Sequence, residues 1–295
     1  IDIKKRSNNN FTNLLIKSNA EISKNLKILN KIKLINKNKI KKITSNIEIM
    51  QYWSNENIIN SADIIFECVP EKLKIKKNVF KLLSENTNKK TIISSTTSTI
   101  LSTDLAKYNR HPERFLNAHW LNPPYLMPLI EISPCKETSK SNIKKIYNLF
   151  IKIRKVPIIC KPSPGYIVPR IQSLAMNEAA RILEEGAASA EDIDKSVIYG
   201  FGLRFAILGL LEFIDWGGID TLDNASSYMT KTMKSQRFST PSIVKKHIKN
   251  NNLGLSTQSG FMDWKNIDVE KYQEDKLKNF VKVIKLLNIQ PRIKI

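Results

Sequence analysis

The chain has 295 residues, 41% of them apolar, which is enough for two domains of ordinary size, each with its own core. Its 48 Lys and Arg against 27 Asp and Glu leave a formal charge of +21, yet the basic residues are scattered among Asn and Ile, as from Lys31 to Lys42, without RNP-like aromatics, finger spacing or a basic heptad. This excludes no anionic cofactor but argues against a dedicated nucleic-acid face. With no apolar run of about 18 residues and no secretory pattern at Ile1 to Arg6, the expectation is a cytoplasmic globular protein with neither nucleic acid nor membrane as partner.

In chain order, Asp63 to Val69 reads as a buried strand, Lys72 to Leu83 as a helix with Leu73, Val79, Phe80 and Leu83 on one face, and Thr91 to Ser95 as the next strand. That is one βαβ unit of an α/β sheet. Phe115 to His119 and Leu129 to Ile132 read as strands joined by a loop stiffened by Pro123 and Pro124, followed by a helix over Ser139 to Ile153 and a closing strand over Val156 to Cys160. After Lys161-Pro162-Ser163-Pro164-Gly165 the alternation stops. The expected division is therefore residues 1–162 as an α/β domain and residues 163–295 as an all-helical domain, opening with a helix over Ile167 to Glu185. Ser189 caps the next helix, and Gly200 and Gly202 are expected to break it. Cys68, Cys135 and Cys160 form no CxxC pattern and each lies in an apolar stretch, which predicts neither a disulfide nor a metal site.

The segment Asn117-Ala118-His119-Trp120-Leu121-Asn122-Pro123 places a histidine at one strand end, with Glu131 twelve residues later on the next strand. A carboxylate fixes the tautomer of a neighbouring imidazole and compensates its charge when it takes a proton, which suits removal of a hydroxyl proton as hydride leaves the same carbon. Taken alone, the pair is more economically read as a backbone-bonded histidine and a surface acid. The surrounding motifs change that balance.

Ala62-Asp63 with Glu67 and Pro70-Glu71, Ser95-Thr96-Thr97-Ser98, Pro112-Glu113-Arg114-Phe115, His119-Trp120-Leu121-Asn122-Pro123, Glu131, Pro164-Gly165-Tyr166 and Glu184-Glu185-Gly186 followed by Ala190-Glu191-Asp192-Ile193-Asp194 stand in one order across nearly the whole chain. In this the chain resembles the 3-hydroxyacyl-CoA dehydrogenase family, whose relatives include gulonate and carnitine dehydrogenases and lambda-crystallin. The resemblance implies a Rossmann-type, doubly wound, mostly parallel sheet followed by a helical domain, with NAD as cofactor. It further implies His119 as general base, Glu131 as the carboxylate that orients it, and Ser98 beside the nicotinamide and the substrate oxygen. Asn122, Glu71 and Lys76 would line the cofactor groove. Ser98 also suits a helix cap, and Glu71 and Lys76 suit ordinary helix-start charges.

Gly202-Leu203-Arg204-Phe205-Ala206 resembles the branch acting on free acids, where Arg204 would clamp a substrate carboxylate; an arginine capping a helix end is the equal alternative. Pro169 stands where the family motif Gly-Phe-x-x-Asn-Arg has Asn. No G-x-G-x-x-G turn occurs, and Ile1-Asp2 resembles the end of the second strand, where Asp2 would bond the adenine ribose; the chain is thus expected to begin about thirty residues late, without the first strand, and to hold NAD weakly. The implied activity is NAD-dependent oxidation of a short-chain 3-hydroxyacyl-CoA such as 3-hydroxybutyryl-CoA. The alternatives are a dehydrogenase of a free 3-hydroxy acid and an inactive structural relative. A homodimer through the helical domain is expected, with the apolar stretch Leu208 to Trp216 as core and dimer surface.

Overall fold

The computed structural model describes residues 1–54 and 56–289, in two compact units that divide at 175/176. The first unit opens with two helices for which the sequence reading gave no element, α1 (Asn8–Lys31), capped by Ser7, and α2 (Lys37–Ser45). Their Leu26 and Leu29 are buried, while the lysines from Lys24 to Lys42 all stand exposed, as a solvated basic face should. Asp2 pairs with Gln51 in a short parallel bridge, through Asp2 N–H to the Met50 carbonyl and Tyr52 N–H to the Asp2 carbonyl.

The central sheet alternates with helices as the sequence pattern predicts: β1 (Ile64–Glu67), α3 (Leu73–Asn86), β2 (Ile92–Ser95), the short α4 (Ser102–Ala106), β3 (Phe115–Trp120), β4 (Leu129–Pro134), α5 (Lys140–Lys152) and β5 (Val156–Ile159). Strand order follows the sequence, β1-β2-β3-β4-β5. All neighbours are parallel except β3 and β4, which the proline loop turns into an antiparallel pair.

Side chains alternate across each strand, so the two faces bury different sets. Ile92, Leu116, Ala118, Ile130 and Ile132 pack on Ile146 and Phe150 of α5 on one face. On the other, Ile93 and Phe115 pack on Val79, Phe80 and Leu83 of α3 and on Leu105 of α4. That second face is apolar only over the first half of β2 and β3. Toward their C-terminal ends it turns polar.

The second unit is helical among its described residues. The helix α6 (Val168–Glu184) runs across the division between the units, so the linker stretch Lys161 to Gly165 precedes the boundary by several residues. Ser189 caps α7 (Ala190–Ser196) through its hydroxyl to Asp192 N–H. Gly200 and Gly202 do not break this helix. It widens instead into a π-helical segment over Val197–Gly202, which leads directly into α8 (Leu203–Phe205). The reason lies in the widened turn: a Cβ on Gly202 would sit 2.9 Å from the Val197 carbonyl oxygen, so glycine permits the path rather than ending it. The helices α9 (Leu210–Gly217), α10 (Ile219–Thr232), α11 (Ser242–Lys249) and α12 (Val269–Leu286) complete the unit.

Asp215, buried in α9, ties down the chain that follows α11. Its carboxylate accepts Phe261 N–H at 2.9 Å, Met262 N–H at 2.8 Å and the Trp264 indole N–H at 2.9 Å. Close approach is possible because Gly254, at φ +101°, lies against the Asp215 backbone, where a Cβ would come within 2.2 Å of its carbonyl oxygen. Gly254→Ala should therefore destabilise the protein by about 2–4 kcal/mol, whereas Gly217→Ala, whose Cβ meets nothing within 4 Å, should stay within about 0.5 kcal/mol of the parent. Thermal unfolding of the two variants checks this; equal melting temperatures would contradict the packing described.

Candidate active site

The polar half of the sheet face is assembled by register. Glu67 of β1 pairs with Ser95 of β2, Ser95 with Asn117 of β3, and Asn117 with Ser133 of β4. One step further along β3, His119 pairs with Glu131. Two-residue periodicity puts Asn117 and His119 on the same side of β3, with Ser133 and Glu131 opposite them on β4. All of these side chains are buried.

His119 Nδ1 lies 2.8 Å from Glu131 Oε2. The other carboxylate oxygen, Oε1, accepts the N–H groups of Ile167 and Val168, both at 2.9 Å, at the start of α6. Amides at a helix N-terminus favour a negative charge, which is how a carboxylate survives here with no exposed surface. Burial alone would push the Glu131 carboxyl up, but His119 and the two amides together hold it below the usual carboxylate range. A carboxylate at Glu131 needs the proton on Nδ1, which leaves Nε2 as the basic nitrogen. Pro169 falls in the first turn of α6, where its missing N–H has no intrahelical acceptor to lose.

A second cluster lies at the ends of β1 and β2. Lys76 of α3, 1% exposed, places its amine 2.9 Å and 3.0 Å from the two Glu67 oxygens and 3.3 Å from Glu71. Ser95 donates to Glu67 at 2.6 Å, Thr99 donates to Glu71 at 3.1 Å, and Thr97 also donates to Glu71. These bonds and Lys76 outweigh partial burial and hold the Glu71 carboxyl below its ordinary value. The Lys76 amine, expected to line the cofactor groove, is enclosed here in an ion pair with Glu67 and Glu71. Its role in this structure is to hold the two carboxylates, of which Glu71 alone is partly open.

The sequence-derived residues are thus brought together in part. His119 and Glu131 touch. Ser98 stands exposed in the turn whose flanking Thr97 and Thr99 bond Glu71. Asn122 is exposed just beyond β3, at a cis peptide with Pro123. The Asp2 carboxylate is engaged by Arg6 and by the Lys4 N–H. Arg204 belongs to the second unit, exposed over the Phe213 ring. Of the three cysteines Cys135 is buried, Cys160 is part-buried and Cys68 is exposed, because the chain has left β1 there. Sequence reasoning gave no role to Ser95, Asn117, Thr97 or Tyr166. The polar residue at every second position, Asn117 then His119, was the available signal.

Against known proteins, residues 7–163 match the model of the 3-hydroxyacyl-CoA dehydrogenase NAD binding domain, and residues 165–264 match the model of that enzyme's C-terminal domain. The chain belongs to the 3-hydroxyacyl-CoA dehydrogenase family. It is 31% identical over 211 residues to the 3-hydroxybutyryl-CoA dehydrogenase of Clostridioides difficile, spanning 72% of this chain and 74% of that one. It is 27% identical over 230 residues to the 5-formyl-3-hydroxy-2-methylpyridine 4-carboxylate 5-dehydrogenase of Mesorhizobium japonicum, spanning 78% and 74%. A solved 3-hydroxyacyl-CoA dehydrogenase from Archaeoglobus fulgidus superposes with a TM-score of 0.68 at 29% identity, over 79% of each chain.

This is an NAD-dependent dehydrogenase family. The residues present fit such a cofactor. Ligands of open α/β sheets bind at the C-terminal ends of parallel strands, and here the Glu71 carboxylate, four residues beyond the end of β1, is partly open and fixed by hydroxyls of Thr97 and Thr99 from the turn after β2.

The Glu131 geometry has a pH signature. Its folded-state value lies below its unfolded one, so its contribution is complete above about pH 4.3 and is lost as pH falls from there through the folded value. Between about pH 5 and pH 3 the melting temperature of the parent should fall more steeply than that of Glu131→Gln, which has no such proton to take up. Parallel slopes would contradict an ionised, amide-bound Glu131.

Proposed function

We propose that this chain oxidises the hydroxyl of a short-chain 3-hydroxyacyl-CoA to the 3-oxo compound, with His119 as general base, and that the observation carrying this reading is the buried His119–Glu131 contact at 2.8 Å. Bound NAD supplies the hydride acceptor. The chain's own part is to take the proton: as the carbinol C–H bond breaks, the O–H proton passes to Nε2 of His119, and the carbinol oxygen becomes a carbonyl. Glu131 holds the Nδ1 proton and, already ionised, faces the imidazolium that forms. In this reading Ser98, exposed in the turn beyond β2, hydrogen-bonds the substrate oxygen, and Glu71 and Asn122 meet the cofactor. Asp2 would bond the adenine ribose.

A free 3-hydroxy acid is the second reading, favoured by Arg204. No ion pair engages its guanidinium among the described residues, and it borders a cavity of about 250 Å³ lined by Tyr199, Leu208, Phe213 and Trp216. That is a suitable clamp for a carboxylate on a small organic body. The M. japonicum relative, named for a carboxylate substrate, supports keeping this reading. Turnover of 3-hydroxybutyryl-CoA well above that of free 3-hydroxybutyrate is the expected result; the reverse order would select the second reading.

His119→Gln should lower kcat by about 10² to 10⁴ with little change in NAD affinity. Glu131→Gln should also cost rate, and the double variant should be scarcely slower than His119→Gln, because Glu131 acts through the imidazole. Full activity in His119→Gln, or additive losses, would contradict these roles.

Self-association through the helical unit is part of the same reading. Met176, Leu183, Ile198, Tyr199, Phe201 and Leu211 are all more than 40% exposed there, and they are the apolar side chains such an interface would cover. Light scattering at micromolar concentration should report a homodimer, and a monomer would count against it.

A further inference from the structure

Tyr166 is buried and adopts φ +46°, a left-handed conformation that non-glycine residues seldom take, immediately after Gly165 at φ +72°. Its ring lies stacked on the His119 imidazole, with centroids 5.2 Å apart and planes within 11°. Its hydroxyl lies 2.9 Å from the Thr97 carbonyl and 2.9 Å from Asn117 Nδ2. The directions of these bonds follow from their partners. The Thr97 carbonyl can only accept, so the phenolic proton points there. Asn117 Nδ2 is also 2.9 Å from the Ile100 carbonyl, another pure acceptor, so the amide must present its nitrogen on this side and donate to Tyr166. In that orientation Asn117 Oδ1 is buried without a hydrogen-bond partner.

One short turn therefore acts on both ends of the catalytic arrangement. Tyr166 covers the imidazole, and the next two residues, Ile167 and Val168, give their amides to Glu131. Through Thr97, the same tyrosine anchors the turn that carries Ser98.

We propose that Tyr166 is a positioning residue for the reaction: its ring fixes the plane of His119 about the bond to Glu131, and its hydroxyl bridge between β3 and the Thr97 carbonyl sets where Ser98 meets the substrate oxygen. This rests on the reading of His119 as the base. The bond to Glu131 leaves the imidazole free to rock about the Nδ1···Oε2 line, and a flat ring against one face removes that freedom, so that Nε2 points in one direction. The same π-face stabilises the imidazolium once the proton has arrived. Tyr166 is not itself an acid or base. Burial pushes its hydroxyl well above the ordinary phenol value, and both of its hydrogen bonds are used within the protein.

Two substitutions separate the ring from the hydroxyl. Tyr166→Phe keeps the stack and loses the bridge. KM for the hydroxy substrate should rise about threefold to tenfold, the effect of one lost hydrogen bond, with a smaller fall in kcat. Tyr166→Leu loses both, and kcat should fall about tenfold to a hundredfold beyond the Phe variant, as displacement of a reacting group by a fraction of an ångström to an ångström would do. Restoration of most of the rate by Phe over Leu marks the ring contact, since a purely structural role would follow melting temperature and not this division between KM and kcat. Proton NMR of the Phe variant supplies a readout that needs no turnover: the His119 ring protons should stay shifted upfield by the stacked ring in Tyr and Phe forms.

If kcat in Tyr166→Leu stays within about twofold of the parent, if the Phe variant loses as much kcat as a folded Leu variant, or if KM is unchanged in the Phe variant, the proposal is overturned. His119→Gln, assayed alongside, keeps the two questions apart. An inactive His119→Gln with an undamaged Tyr166→Leu sinks the positioning role alone, whereas a fully active His119→Gln sinks the base assignment and this inference together.

Discussion

The bonding of Glu131 is the constraint on which the site depends. One carboxylate, without exposed surface, satisfies His119 with one oxygen and two helix-start amides with the other. Each bond requires a different piece of the fold. The contact with His119 needs the antiparallel register of β3 and β4, since a shift of one residue would send Glu131 to the α5 face. The contacts with the amides need the turn at Gly165 and Tyr166, which brings α6 in with its N-terminus toward the sheet. A buried charge is costly unless it is fully paired, so loss of any one of these pieces is felt by all of them.

The same economy governs the neighbouring cluster. The sheet face that carries His119 is apolar over Ile93 and Phe115 and polar over Glu67, Ser95, Asn117 and Ser133. The polar row is tolerated because its charges are matched within it. Lys76 reaches from α3 to the two carboxylates at the end of β1, and the hydroxyls of Ser95, Thr97 and Thr99 complete their coordination. The result is a rigid floor at the C-terminal ends of parallel strands, with Glu71 and the Ser98 turn as its partly open edge.

Much of this was legible in the sequence. The strands at Ile64, Ile92, Phe115, Leu129 and Val156 are short β-branched or aromatic runs bounded by turn residues, and all five form. The helix start at Ser139 and the cap at Ser189 were signalled by side chains that do accept the expected amide hydrogens. The His119–Glu131 pair was legible through the family motifs, since the two residues alone favoured a backbone-bonded histidine and a surface acid. Less legible was anything set by long-range packing. The α1 and α2 helices carry a polar, lysine-rich pattern whose few buried leucines give a weak periodic signal. Gly200 and Gly202 read as helix breakers, yet they permit a π-helical turn, because what decides there is the contact of Gly202 with the Val197 carbonyl five residues earlier. Without the family motifs Lys76 reads as an ordinary first-turn helix charge, and only the fold shows that it pairs in the interior with Glu67, nine residues before it. Tyr166 read as part of a turn motif. Its importance lies in residues 47 and 69 positions away, which no local pattern records.

An ionised Glu131 fixes His119 as the tautomer with Nδ1 protonated and Nε2 unprotonated. Long-range proton–nitrogen correlation NMR of the protein labelled at histidine nitrogen, recorded at mildly alkaline pH and assigned with His119→Gln, reads this directly. The predicted result is a protonated Nδ1 and an unprotonated Nε2 for His119, with the preference lost in Glu131→Gln. A His119 protonated at Nε2 in the parent protein would contradict this, because the nitrogen proposed to take the substrate proton would then have no lone pair to receive it.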